Sequence, residues 1–310
     1  MEKTDRERSF ALSAAIGRRI AEENPVVSYR MEDLAADRAS LGREDLAEMA
    51  EIGLYDGDFE KFYVIRTFCS ETGLSEVADG HYLLKLFQEA RRLSADEFLS
   101  DPYLSSVKLA GSFHKGNVLL TTAGYRRGEI FQYDMPDFHG KLVVPKLGFF
   151  TKEVSFPALY EGKLPWMSIC PSEIHSMRAP IAEAFGRVLV LGLGLGYYPF
   201  HIIQKEEVIS VTVVEKNPSV IELFRRGILP FFPRAAKEKL RLIEADAYSY
   251  LDGLAGGEYD FCFADLWEGA VDGASHYRAL LPHASRLSST RFRYWIEDAI
   301  LAYLEDDSGD

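Results

Sequence analysis

The sequence has little of what marks a disulfide-stapled, metal-stapled or membrane-spanning chain. Its 310 residues include three cysteines, Cys69, Cys170 and Cys262, widely spaced and with no C-x-x-C pair. That spacing argues against a disulfide framework and leads to the expectation of buried thiols in a reducing cytoplasm. The seven histidines are scattered without ligand-like spacing, so no metal site is expected. No run approaches the roughly 20 apolar residues that cross a bilayer. The apolar stretch Phe10 to Ile16 meets Arg18 and Arg19, then Glu22 and Glu23, with no small-residue cleavage site, so it does not read as a secretory signal. No membrane partner is expected. Positive charge is scarce too: 35 Lys and Arg stand against 48 Asp and Glu, for a net charge of −13. A phosphate backbone needs a basic surface, so nucleic acid is not an expected partner. The acidity suits a cationic small molecule, although it also serves plain solubility.

What is present falls into three parts. Residues 1–102 read as helical. Phe10, Ala14, Ile16 and Ile20 fall near one face, Glu44 to Ile52 forms a short helix stopped by Gly53, and Ser94 with Glu97 makes a capping box. Leu83, Leu86, Phe87 and Ala90 form a helical stripe that begins after a break at Asp79 and Gly80. These stripes read as packing faces, with partner binding as the other use. Residues 103–180 read as a small antiparallel β region and a linker. Its strand-like runs are Val118 to Thr122, Glu129 to Tyr133, Lys141 to Leu147 and Lys152 to Phe156, with a turn at Gly124 to Gly128.

Residues 181–310 alternate strand and helix, the pattern of a parallel sheet with crossovers and hence of an α/β fold. Strands are expected at 187–191, 208–214, 240–244, 259–264 and 292–296. Asn217 is expected as N-cap and Pro218 as the first residue of the second crossover helix. The segment from Glu305 to Asp310 reads as a frayed tail. In open parallel sheets ligands bind beyond the carboxyl ends of the strands. This chain puts Gly192, Gly194 and Gly196 after the first strand, Glu215 after the second, Asp246 after the third and Asp265 after the fourth. An acid at one strand end is as easily a helix cap. Four such ends in succession form a site.

The glycine spacing narrows the ligand. A dinucleotide loop reads G-x-G-x-x-G; counted from Gly192 or Gly194, the third position is Tyr197 or Pro199, and the pattern present is G-x-G-x-G. Glu215 follows Gly192 at the distance of a carboxylate that takes both ribose hydroxyls. The features suit a nucleoside without a pyrophosphate.

Val188 to Tyr198, Val213 to Glu215, Glu244 to Ala247 and Tyr259 to Asp265 together resemble the successive motifs of class I S-adenosylmethionine-dependent methyltransferases, and more narrowly their spermidine synthase branch. The stretch Trp166 to Met177, containing Glu173 and His175, is similar to the segment that precedes the glycine loop in spermidine synthases. The resemblance covers about 150–298. It implies a Rossmann-like class I methyltransferase domain and, as cofactor, S-adenosylmethionine or its decarboxylated form. It further implies that Glu215, with Lys216 beside it, holds the ribose, and that Asp246 and Ala247 face the adenine. Gly192, Leu193, Gly194, Leu195 and Gly196 would line the aminoacyl or aminopropyl side, and Asp265 would be the catalytic aspartate, itself against the cofactor. Where the family usually has a second aspartate, this chain has Glu268; where aminopropyltransferases carry an aspartate before the last loop glycine, it has Leu195. Asp101 to Tyr103 is similar to a motif of nucleotide-base methyltransferases but lies far upstream of the strand that would carry it, and reads as a helix-ending turn.

An apolar Leu195 gives a cationic chain no partner, so methyl transfer to a small, cationic acceptor is the first expectation. Aminopropyl transfer is the second, and a non-catalytic adenosyl-binding protein the third. Acceptor-pocket candidates are Glu173, His175, Tyr198, Trp267 and Tyr277, each with a plain packing role as the alternative. There is no room after the fifth strand for the antiparallel hairpin that usually completes such sheets. The exposed edge is therefore expected to be covered by the N-terminal helices or by a second copy in a homodimer.

Overall fold

The computed structural model describes residues 41–72, 76–139 and 142–307, with isolated positions before residue 41. The expected helical face through Phe10 and Ala14 lies outside the described residues. Along the chain come α1 (Arg43–Glu51), α2 (Phe59–Thr72), α3 (Glu76–Glu89), β1 (Arg91–Leu93), α4 (Ala95–Leu99), α5 (Pro102–Ser106), β2 (Phe113–Lys115), β3 (Val118–Tyr125), β4 (Phe131–His139), β5 (Leu142–Phe150), β6 (Val154–Glu161) and β7 (Leu164–Ser168). There follow α6 (Pro171–Glu183), β8 (Gly186–Leu191), α7 (Tyr197–Ile202), β9 (Val208–Glu215), α8 (Pro218–Gly227), α9 (Arg234–Lys237), β10 (Leu240–Glu244), α10 (Ala247–Asp252), β11 (Phe261–Ala264), α11 (Ala270–Arg286), β12 (Arg291–Tyr294) and α12 (Glu297–Asp307).

The chain forms two compact units. The first comprises residues 1–99 and 124–155, the second 100–123 and 156–310. The expected β region 103–180 is thus divided between them. In the first unit a three-stranded sheet of order β1-β5-β4 carries an aromatic core with α2 and α3, in which Phe62, Phe68, Leu86, Phe87 and Phe149 are buried. α1 ends as its sequence dictates, with Gly53 at φ +79° just beyond it. Glu97 N–H donates to Ser94 Oγ at the start of α4. Two expectations are corrected. Asp79 and Gly80 lie inside α3 rather than breaking it, because the stripe Leu83, Leu86, Phe87 and Ala90 is buried and its packing outweighs one glycine's helix penalty of about 1 kcal/mol. Residues 91–93 form a strand that pairs parallel with β5 instead of extending the helical region.

The second unit has a five-stranded parallel sheet of order β10-β9-β8-β11-β12, the doubly wound arrangement with its switch between β8 and β11. This is the expected Rossmann-like, mostly parallel α/β arrangement. Val188, Val190, Val211, Val213, Phe261 and Phe263 are buried, as befits strands covered on both faces. Asn217 Oδ1 caps α8 by accepting from Ser219 N–H at 2.9 Å, with Pro218 first in the helix. A small sheet of order β2-β3-β6-β7 packs on α8, where a side chain in place of Gly227 would strike Leu120. Among the described residues no strand follows β12. Its side chains Arg291 and Arg293 both donate to Glu183 of α6, which places charge along the edge. The expected frayed tail is helical through Asp307; 308–310 lie outside the described residues.

Candidate functional site

The loop after β8 is shaped by three glycines with φ of +97°, +52° and +73° at 192, 194 and 196. At Gly192 a Cβ would sit 2.0 Å from the Asp265 carbonyl oxygen, and at Gly196 one would sit 2.3 Å from the Phe224 ring of α8. The first glycine therefore lets the loop lie against the end of β11, and the third lets α7 begin close to α8. Beyond this loop opens a cavity of about 510 Å³, whose walls come from the carboxyl ends of β8, β9, β10 and β11, from β7 and from α6 and α11.

Glu215 ends β9 with both carboxylate oxygens engaged. Oε2 accepts the Leu193 N–H at 3.1 Å and Oε1 the Asn217 N–H at 2.7 Å. Each oxygen keeps a second lone pair for a ligand hydroxyl. Lys216 is exposed beside it at the cavity wall. Asp246 caps α10, accepting from Ser249 N–H at 2.9 Å, and those helix N–H groups hold its carboxyl below the usual carboxylate range. Asp246, Ala247 and Tyr248 all line the cavity.

Asp265 follows β11 at the cavity floor, its N–H donating to the Leu191 carbonyl at 2.9 Å. Burial, and then the negative charge of Glu215, push its carboxyl up to about 7. Glu173, from the first turn of α6, lines the same cavity. Burial, and then Asp265, push Glu173 up to about 8. Glu215, Asp265 and Glu173 thus share one cavity, and burial raises the carboxyls of the last two together. Such a pair suits a cation, whose arrival lets both groups ionise. A carboxyl poised near neutrality also suits proton acceptance.

The structure brings together most of the residues singled out in the sequence. Leu193, Leu195, Tyr198, Trp267 and Glu268 line the cavity with the glycines and acids. Tyr198 also packs on the sheet, stacked on Phe263 at 4.1 Å, with its hydroxyl donating to the Pro180 carbonyl. Glu268 is exposed at the cavity rim, its N–H donating to Asp272 Oδ2 at 2.9 Å. His175 and Tyr277 stand outside the lining: His175 is exposed, and Tyr277 packs edge-on against Tyr294 at 4.7 Å. The lining residues that went unforeseen include Tyr248, Asp272 and His276, with Tyr248 Oη and His276 Nδ1 2.7 Å apart. Tyr248 stands two residues past Asp246 and was within reach of the sequence; His276 is brought in by α11 and left no local signal.

Asp101 to Tyr103 follows the end of α4 at Leu99, as expected of a helix-ending turn, and also begins the next helix. Asp101 Oδ1 caps α5 through Tyr103 N–H and Leu104 N–H, with Pro102 in the first position, where its missing N–H costs nothing.

A glycine-shaped loop, a strand-end acid with spare acceptor capacity and an acid-lined cavity at the topological switch stand together in the α/β unit. Neither a protein-family model nor a curated protein matches the sequence. Solved structures do align with it. A probable spermidine synthase from Corynebacterium glutamicum is 15% identical, with 52% of this chain and 53% of that one covered at a TM-score of 0.34. Spermidine synthase from Thermotoga maritima is 14% identical, with 65% and 64% covered at 0.37. Precorrin 8W decarboxylase from Methanobacterium thermoautotrophicum is 17% identical, with 44% and 71% covered at 0.31. The chain thus spans about half the length of the first of these. No helix among the described residues is long and apolar enough to cross a membrane.

Proposed function

We propose that the second unit binds an adenosyl sulfonium compound and transfers a group from it to a small acceptor. The observation that carries this reading is Glu215, whose two oxygens each hold one backbone N–H of the flanking loops and each retain capacity for one ribose hydroxyl. A Cβ at Gly192 or Gly196 would clash with the protein and one at Gly194 would meet only the Met167 sulfur, at 3.1 Å, so the loop borders the cavity with three residues that carry no side chain, which supports this reading. When bound, such a compound supplies a carbon made electrophilic by positive sulfur. The chain's own residues orient and desolvate. Glu215 fixes the ribose, Asp246 and Ala247 border the base, and the loop backbone borders the remaining chain.

Methyl transfer from S-adenosylmethionine to a small cationic acceptor is the first reading. Asp265 takes the acceptor's N–H proton as the new bond to carbon forms and the carbon–sulfur pair leaves with sulfur. Glu173 holds the acceptor's positive charge. Leu195 favours this reading, since it is buried and offers no charge to an aminopropyl chain. Aminopropyl transfer from decarboxylated S-adenosylmethionine is the second reading, favoured by the two carboxyls Glu173 and Asp265 in one cavity. Incubation of the protein with each sulfonium compound and a panel of small amines separates them. Methyl transfer releases S-adenosylhomocysteine and aminopropyl transfer releases methylthioadenosine. Release of neither with any amine, alongside tight adenosyl binding, would leave a binding protein without turnover.

A further inference from the structure

The glycine loop carries a buried carbonyl whose partner comes from a distant part of the sequence. Tyr103 Oη donates to the Leu195 carbonyl oxygen at 2.5 Å. Tyr103 is fully buried, edge-on to Phe200 at 5.3 Å and tilted against Tyr197 at 5.4 Å. It is held by Asp101, whose Oδ1 accepts the Tyr103 N–H at 2.9 Å. The other oxygen of the same carboxylate, Oδ2, accepts the Tyr197 hydroxyl at 2.9 Å. The bonds close a ring: Asp101 to Tyr103, Tyr103 to Leu195, along the chain to Tyr197, and back to Asp101. His201, one turn further along α7, places Nε2 3.8 Å from the same Oδ2. Hydrogen bonds to Asp101 and the neighbouring His201 hold its carboxyl below the usual range against the opposing effect of burial.

We propose that Asp101 and Tyr103 are positioning residues that clamp the glycine loop in its ligand-ready shape without touching the ligand. Neither lines the cavity. The loop needs such a clamp because its three glycines have the widest conformational freedom of any residue type. Its only internal backbone tie across the turn, Gly196 N–H to the Leu193 carbonyl at 2.9 Å, leaves the Leu195 carbonyl without a backbone donor. A buried carbonyl without a donor is costly, so the loop shape in which Leu195 meets Tyr103 is favoured over the others. The aromatic packing around Tyr103 fixes the hydroxyl's position. The clamp also accounts for a tyrosine hydroxyl buried this deeply.

The inference rests on the loop being the adenosyl site proposed above, and the test separates the two. Tyr103→Phe removes one oxygen and keeps the ring packing. Two quantities are measured on the whole chain: hydrogen exchange of the peptide spanning 192–200 without ligand, and calorimetric affinity for S-adenosylmethionine. The clamp predicts faster exchange in 192–200 with unchanged exchange in β8, and affinity weakened about tenfold. Unchanged loop exchange overturns it. So does an affinity within twofold of wild type, even if thermal stability falls, because a merely structural role lowers stability alone. If Tyr103→Phe does not fold, Tyr197→Phe opens the same ring at its other link and is judged by the same criteria. Failure of the wild type to bind any adenosyl compound would refute the proposed function instead, and the exchange measurement, which needs no ligand, still decides the clamp.

Discussion

Glu215 Oε2 accepts the N–H of Leu193 at 3.1 Å, so the acid that ends β9 shapes the loop that follows β8. The same side chain would therefore organise the loop and receive the ribose. Glu215→Gln keeps the size but gives up the charge and one acceptor oxygen. Hydrogen bonds to a charged group are worth about 1.5–3 kcal/mol, so adenosyl affinity should fall roughly ten- to hundredfold. Calorimetry on the folded variant checks this, and unchanged affinity would remove Glu215 from the site.

The loop glycines differ in what a side chain would meet. Gly192→Ala would drive a methyl into the Asp265 carbonyl at φ +97°, whereas Gly194→Ala would meet only the movable Met167 sulfur at φ +52°. The left-handed conformation alone costs an alanine about 1–2 kcal/mol. Gly194→Ala should lose about that much stability, and Gly192→Ala clearly more. Thermal or urea unfolding of the two variants gives the order; equal losses would contradict the described packing.

The pair Glu173 and Asp265 sets a pH dependence. Both carboxyls are raised from the ordinary carboxylate range by burial, to about 8 and about 7. The folded chain therefore holds more protons than the unfolded chain across that interval. Their contribution is most favourable below the unfolded values, and it is lost as pH rises towards about 8. The ligand-free protein should lose stability between pH 4 and 8, and Glu173→Gln should flatten that slope. A cation binding between the two carboxyls should bind more tightly as pH rises through the same range and release protons. Calorimetry in two buffers of different ionisation enthalpy reads that release directly; none at pH 7 would contradict the assignment.

Asp265→Asn leaves the volume and removes the proton acceptor. Positioned general bases contribute about 10²–10⁴-fold, so turnover at saturating sulfonium compound should fall in that range, beyond the affinity lost with a carboxyl that favours positive charge. Turnover equal to wild type would show that the acceptor loses its proton elsewhere.

Much of the second unit could be read from sequence because its signals are local. A strand of buried apolar residues followed by glycine or an acid is visible at Val188 to Gly192, Val211 to Glu215 and Phe261 to Asp265. The Asn217 and Pro218 cap is a two-residue statement about backbone N–H groups. What stayed hidden depends on partners far along the chain. Helix α6 falls largely in the stretch read as a linker, and its first turn delivers Glu173 to the cavity. Asp101 to Tyr103 reads equally well as a turn or a cap until Tyr103 meets Leu195, 92 residues away. His276 reaches the cavity only through the run of α11, and β1 is a strand only because β5 offers it an edge.

The proposed function requires that the cavity beyond Gly192 to Gly196 take an adenosyl sulfonium. Calorimetric titration of the full chain with S-adenosylmethionine, its decarboxylated form and methylthioadenosine tests it most directly. The account predicts saturable one-to-one binding of at least one sulfonium compound, tighter than the binding of neutral methylthioadenosine because the carboxyls of Glu173 and Asp265 favour positive charge. No binding of any of the three by folded protein would contradict it.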